Sequence, residues 1–194
     1  MKNGLVADFN EGPSCLNAFR LKFFTFSDSI WGMNSTFTYA RIQENATNGC
    51  LQIVYQLQPK DPSQAPYIGL LTDFADPFPV PYNLSRFTAL KLRIKTAQPY
   101  AGSPIHVYLV LYSGNIRTSR TEEFPRYEIP TQFLTTDWVD VKAPFAEFKE
   151  AIGSSGERRP LDITQVYRVG LLIIGPADSV AHGRLYIDEV YFVN

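Results

Sequence analysis

At 194 residues the chain has the length of one large domain, and a composition of 45% apolar and 14% aromatic residues can build a core without help from metal or disulfides. A formal charge of −1 excludes the basic footprint that nucleic acid or an anionic membrane would select. No apolar run approaches the roughly 20 residues of a membrane-spanning helix.

The opening, MKNGLVADFN, has no apolar stretch of the signal-peptide kind. Met1 is then the start of a cytoplasmic protein, or a boundary after the removed signal of an extracellular or periplasmic one. A single domain over 1–194 is expected.

In chain order, Leu5 to Phe9 reads as a strand that meets an acid at Asp8, and 11–17 reads as a loop. Phe23 to Phe26 is short and aromatic. Thr36, Thr38, Ala40 and Ile42 alternate with Phe37, Tyr39 and Arg41; after Asn48-Gly49, Leu51, Ile53, Tyr55 and Leu57 alternate with Gln52, Val54 and Gln56. Side chains on a strand alternate faces, so this pair predicts a hairpin. Tyr67 to Thr72 is a strand that runs into a proline-rich crossing. Leu90, Leu92 and Ile94 oppose Lys91, Arg93 and Lys95, while Ile105, Val107, Leu109 and Leu111 oppose His106, Tyr108, Val110 and Tyr112. Strands follow over 124–129 and 138–141. Phe145, Phe148 and Ile152 stand at helical spacing before Gly153, which predicts one short helix over 145–152. Val169 to Ile174 is nearly continuous apolar, and the closing GRLYIDEVYFV alternates around Asp188.

About ten short strands and almost no helix describe an all-β, two-sheet antiparallel β-sandwich of the jelly-roll kind. The acids of the first and last strands suggest that the two termini meet.

Three segments carry a resemblance: LVADFNEG with NAFRLKFFTFSDSIWGMNS, TDWVDVKAPFAEF over 136–148, and ITQVYRVGLLIIG with GRLYIDEVYFV. Their order resembles the galactose-binding-like jelly-roll superfamily, in two branches. One is the family 11 carbohydrate-binding modules; the other is the complex I intermediate-associated proteins, which assist assembly. The first branch implies a non-catalytic module that holds an oligo- or polysaccharide on a concave sheet face by aromatic stacking. The second implies a protein-interaction domain. The stretch Leu171-Leu172-Ile173-Ile174 has no aromatic residue where the first branch tends to present a tyrosine.

Sugars present flat C–H faces to aromatic rings and hydroxyls to planar polar groups. The expected ligand face is therefore His106, Tyr108 and Tyr112, spaced about 7 Å for successive same-face residues, with Arg126 as polar neighbour. Arg93, Lys95, Gln52 and Gln56 are further hydroxyl partners by the same logic. The competing reading is that these tyrosines pack under a loop. Jelly-roll binding modules also imply a structural calcium, here between Asp8 and Asp188. Calcium wants six to eight hard oxygens; the alternative for Asp188 is to cap a turn or pair with an arginine such as Arg184 or Arg41.

Catalysis finds no support. The two histidines, His106 and His182, sit in no motif, and no phosphate loop or nucleophile elbow occurs. The acid pairs Glu122-Glu123, Asp73/Asp76 and Asp137/Asp140 read as solvated. Lys91, Arg93 and Lys95 read as a wet sheet face, and Trp31 and Trp138 as core anchors or loop pins. Cys15 and Cys50 read as unpaired thiols or as one disulfide, and the sequons at Asn34, Asn45 and Asn83 as chance matches.

Overall fold

The computed structural model describes residues 4–10, 17, 22–31, 34–45, 47–74, 80–98, 105–113, 125–152 and 158–194. In chain order the strands are β1 (Leu5–Ala7), β2 (Phe23–Ser27), β3 (Thr36–Gln43), β4 (Gly49–Leu57), β5 (Tyr67–Asp73), β6 (Ala89–Thr96) and β7 (His106–Ser113). They continue with β8 (Arg126–Glu128), β9 (Val139–Pro144), β10 (Ala151–Ile152), β11 (Arg158–Arg159), β12 (Val166–Ile174) and β13 (Ala181–Val193).

Two antiparallel sheets form the sandwich. The first runs β3-β4-β13-β6-β9, with β1 laid on β13; the second runs β2-β5-β12-β7-β8. A two-residue ladder joins β10 to β11. The expected hairpin is β3–β4, with Thr36 opposite Gln56 and Gln43 opposite Gly49. The termini meet as expected, Leu5 facing Tyr191 and Ala7 facing Val190.

Alternation sorts each strand. Leu51, Ile53, Leu57, Leu90, Leu92 and Ile94 of the first sheet are buried against Ile68, Leu70, Val107, Leu109, Leu111, Leu171 and Ile173 of the second. One aromatic cluster closes the end where the termini meet: Phe192 lies 5.9–6.0 Å from the rings of Phe74, Phe87 and Phe145. Gly4, at φ +75°, lets the first strand pass this cluster, because a Cβ there would sit 2.0 Å from the Phe192 carbonyl oxygen.

The helix expected over 145–152 does not form. Phe145–Glu147 makes a single 3-10 turn, after which Phe148 is extended. Lys149 then exchanges backbone hydrogen bonds with Arg126, at 2.8 and 3.1 Å. The spacing of Phe145 and Phe148 reflects two rings packed 6.3 Å apart in the core, not a helical face.

Trp138 is a pin and not a core residue. It stands on the outer face of the first sheet, where its indole N–H donates to both carboxylate oxygens of Glu44 at 2.8 and 3.0 Å. Arg93 and Lys95 lie over its ring. Burial alone would raise the Glu44 carboxyl, but its hydrogen bonds to Lys95 and Trp138 hold it below the usual carboxylate range. Cys50 is a buried free thiol, pushed up to about 11 by burial and then by Glu44 and Asp188. Cys15, Asp76, Glu122, Glu123 and the side chain of Trp31 lie outside the described residues.

Because Phe192 is 1% exposed and touches three other rings, Phe192→Ala should lower unfolding stability by about 3–5 kcal/mol, read from denaturant midpoints. A loss below about 1 kcal/mol would show that the cluster does not hold the termini.

Candidate functional site

The outer face of the second sheet carries a second, smaller apolar set. Leu71, Val110 and Leu172 are buried there, covered by Phe24, Phe26, Tyr67, Tyr108, Tyr112 and Ile174. Pairing registers arrange these side chains in rows across the strands. One row is Phe24, Leu71, Gly170, Val110, Arg126; the next is Phe26, Gly69, Leu172, Tyr108, Glu128. Tyr67, Ile174 and His106 flank on one side, and Asp73, Arg168 and Tyr112 on the other.

All four residues expected to hold ligand therefore share this face. Three meet around one ring. His106 stacks on Tyr108 with ring centroids 6.2 Å apart and planes 21° apart, and the Arg126 guanidinium sits 5.0 Å over the Tyr108 ring. By register His106 lies one row to one side of Tyr108 and Arg126 one row to the other, so the tyrosine is flanked rather than bare. Tyr112 stands about 13 Å further along the same strand, at four residues' rise.

Among the described residues, the polar groups of the face are not all paired. His106 Nδ1 lies 2.6 Å from Glu128 Oε1, and Arg168 Nε lies 2.5 Å from Asp73 Oδ1. Arg168 is also sandwiched by rings, 4.8 Å from Phe24 and 5.7 Å from Tyr112. Arg126, by contrast, pairs with no carboxylate among the described residues, so no ion pair there takes up its fork of N–H donors. Burial, reinforced by Glu128 and opposed by Arg126, keeps the Tyr108 hydroxyl above the ordinary phenol range.

Two glycines shape the floor. A Cβ on Gly69 would fall 2.0 Å from the Phe26 ring, so Phe26 lies directly over that backbone. A Cβ on Gly170 would meet Leu71 at 2.5 Å and the Leu70 carbonyl at 2.1 Å.

Sequence reasoning missed Phe24, Phe26, Tyr67, Glu128 and Arg168. The alternation of Phe24 and Phe26 was available as a signal. Arg168 was lost by starting its strand at Val169, whereas β12 begins at Val166. Arg93, Lys95, Gln52 and Gln56 do not join the site. They belong to β6 and β4 of the opposite sheet, where Lys95 is tied to Glu44 and Gln52 donates to the Tyr186 hydroxyl. A cavity of about 940 Å³ also lies on that sheet, against Thr36, Thr38, Gln56, Gln98, His182 and Arg184.

Asp8 and Asp188 sit near one junction, both close enough to Tyr191 to raise its hydroxyl, after burial. Asp188 is fully buried, and among the described residues no group of three or more His, Cys, Asp or Glu gathers as a metal cluster.

No protein-family profile matches the chain, and no curated protein does. Solved structures do. The family 11 carbohydrate-binding module of the cellulosomal cellulase Lic26A-Cel5E of Clostridium thermocellum superposes with a TM-score of 0.66 at 14% identity, covering 98% of this chain and 94% of that one. The Clostridium thermocellum family 11 module in complex with a β-1,3-1,4-mixed-linked tetrasaccharide gives 0.66 at 13%, over 98% and 95%. Caldicellulosiruptor saccharolyticus CBM27-1 in complex with mannohexaose gives 0.50 at 11%, over 89% and 97%. At these identities the likeness establishes the fold: the chain is a two-sheet antiparallel jelly-roll β-sandwich, similar in fold to the family 11 modules.

Proposed function

We propose that the protein is a non-catalytic carbohydrate-binding module that takes an oligo- or polysaccharide across the outer face of the second sheet. The observation that carries this reading is the Tyr108–Arg126 pair: a phenol beside a guanidinium that no carboxylate among the described residues claims, set on an apolar floor. A hexose offers the complement, vicinal hydroxyls for the fork and a C–H face for an aromatic ring. Tyr112 and Phe26 supply further ring surface on either side, so a chain of several sugars is bound rather than one. The two similar modules in complex with a mixed-linked tetrasaccharide and with mannohexaose support that class and length of ligand.

Calorimetric titration with mixed-linkage β-glucan oligosaccharides and mannohexaose tests this. Arg126→Ala and Tyr112→Ala should each weaken binding by about 5- to 150-fold, the range of about 1–3 kcal/mol found for stacked groups. Tyr108→Ala should weaken binding and also lower stability, because Tyr108 covers Val110 and Leu172. If Arg126→Ala and Tyr112→Ala bind as the parent does, the ligand face is elsewhere. If no glycan of either class binds the parent while a protein partner is captured through these residues, the face serves assembly, as in the complex I intermediate-associated proteins.

Gly69→Ala offers an independent check. Its methyl must displace Phe26 from the floor, so glycan affinity should fall while the aromatic residues remain present. Unchanged affinity in a folded Gly69→Ala protein would remove Phe26 from the binding surface.

A further inference from the structure

The superfamily resemblance implies a calcium ion near Asp8 and Asp188, yet most of the oxygens at that junction already accept hydrogen bonds. Asp188 Oδ1 accepts from the Glu189 amide at 2.8 Å and Oδ2 from Asn48 Nδ2 at 3.3 Å. Asp8 Oδ1 accepts from the Asn10 amide at 3.3 Å, and Asn10 Oδ1 from the Gly49 amide at 2.9 Å. The Phe9 carbonyl accepts from Arg41 Nε at 2.5 Å, while Arg41 Nη2 serves both the Asn10 carbonyl at 3.3 Å and Gln43 Oε1 at 2.9 Å. Seven oxygens of the kind calcium selects thus already face N–H donors. A guanidinium among these carbonyls would also repel a divalent cation.

We infer that Arg41 is the built-in cation of this junction and that the fold needs no calcium there. The planar fork suits this role, because Nε and Nη2 reach two successive carbonyls of the chain leaving β1, while Gln43 fixes the fork from its own strand. Gly49 makes the approach possible. A Cβ at that position would fall 2.3 Å from the Phe9 carbonyl oxygen and 2.6 Å from Arg41 Nη2. Arg41 thereby ties the β3–β4 hairpin to the first strand, across a junction where backbone pairing has ended at Ala7. The φ of +49° at Glu189 and the buried Asp188 belong to the same construction, since the carboxylate holds that left-handed residue by its amide.

The test uses the intact protein, stripped of metal, and calcium chloride as probe. Calorimetric titration should show no saturable binding, and the melting temperature should be the same in millimolar calcium as in chelator, because only a ligand of the native state raises it. Arg41→Met should lower the melting temperature by several degrees, and Arg41→Lys should recover it only in part, since a single ammonium lacks the fork. Saturable calcium binding to the wild type, with a melting temperature that drops on chelation and returns on calcium addition, would overturn the inference. So would an Arg41→Met protein that melts with the wild type. The wild-type titration decides the matter even if Arg41→Met does not fold.

Discussion

Strand β13 sets the register of the first sheet, on which the meeting of the chain's ends depends. It pairs with β4 through Ala181 to Ile187, with β6 on its other side, and with β1 at Val190 and Tyr191, where the β6 pairing is irregular between Asp188 and Tyr191. An irregular pairing at Asp188–Tyr191 changes which neighbour each side chain meets, and a slip of one residue would exchange core and solvent faces along the whole strand. Glu189, at φ +49°, is where the backbone absorbs this change, and the Asp188 carboxylate that accepts its amide is fully buried. The last strand therefore does two jobs at once. Leu185, Ile187 and Phe192 fill the core, and the turn at Asp188–Glu189 brings the first strand alongside.

The second sheet obeys the same rule of alternation with a different result. Its inner residues join the common core, while its outer residues form an apolar floor that is small and covered by rings. A wet sheet face rarely needs such a layer. Rings lying on Leu71, Val110 and Leu172 lose rotamer freedom before any ligand arrives, which reduces the ordering cost of binding. The hydrogen bond between His106 and Glu128 and the ion pair of Arg168 with Asp73 lie at the rim. The face offers the guanidinium of Arg126, which no carboxylate among the described residues claims.

Much of this was legible in the residues because a period of two is a local signal. The hairpin after Asn48-Gly49 and the common face of His106, Tyr108 and Tyr112 followed from alternation, while the meeting of the ends was read from the acids of the terminal strands and Arg126 was named as a polar neighbour. What remained hidden depends on partners distant in sequence. Phe24 reaches Arg126 only through three intervening strands, so no spacing along the chain could connect them. The Phe145–Phe148 spacing misled for a related reason, since two core aromatics three residues apart satisfy a helix or a 3-10 turn equally well. Arg41 was read as a candidate partner of Asp188, whereas its two carbonyl partners come from the segment after β1.

Glycan binding on the outer face of the second sheet is tested most directly by amide chemical-shift mapping during titration with mixed-linked β-glucan tetrasaccharide or mannohexaose. Saturable shifts should cluster on Phe24, Phe26, Tyr108, Tyr112, Arg126 and Arg168. Shifts confined instead to Thr36, Gln56, His182 and Arg184 on the opposite sheet, or none with either glycan at millimolar concentration, would contradict it.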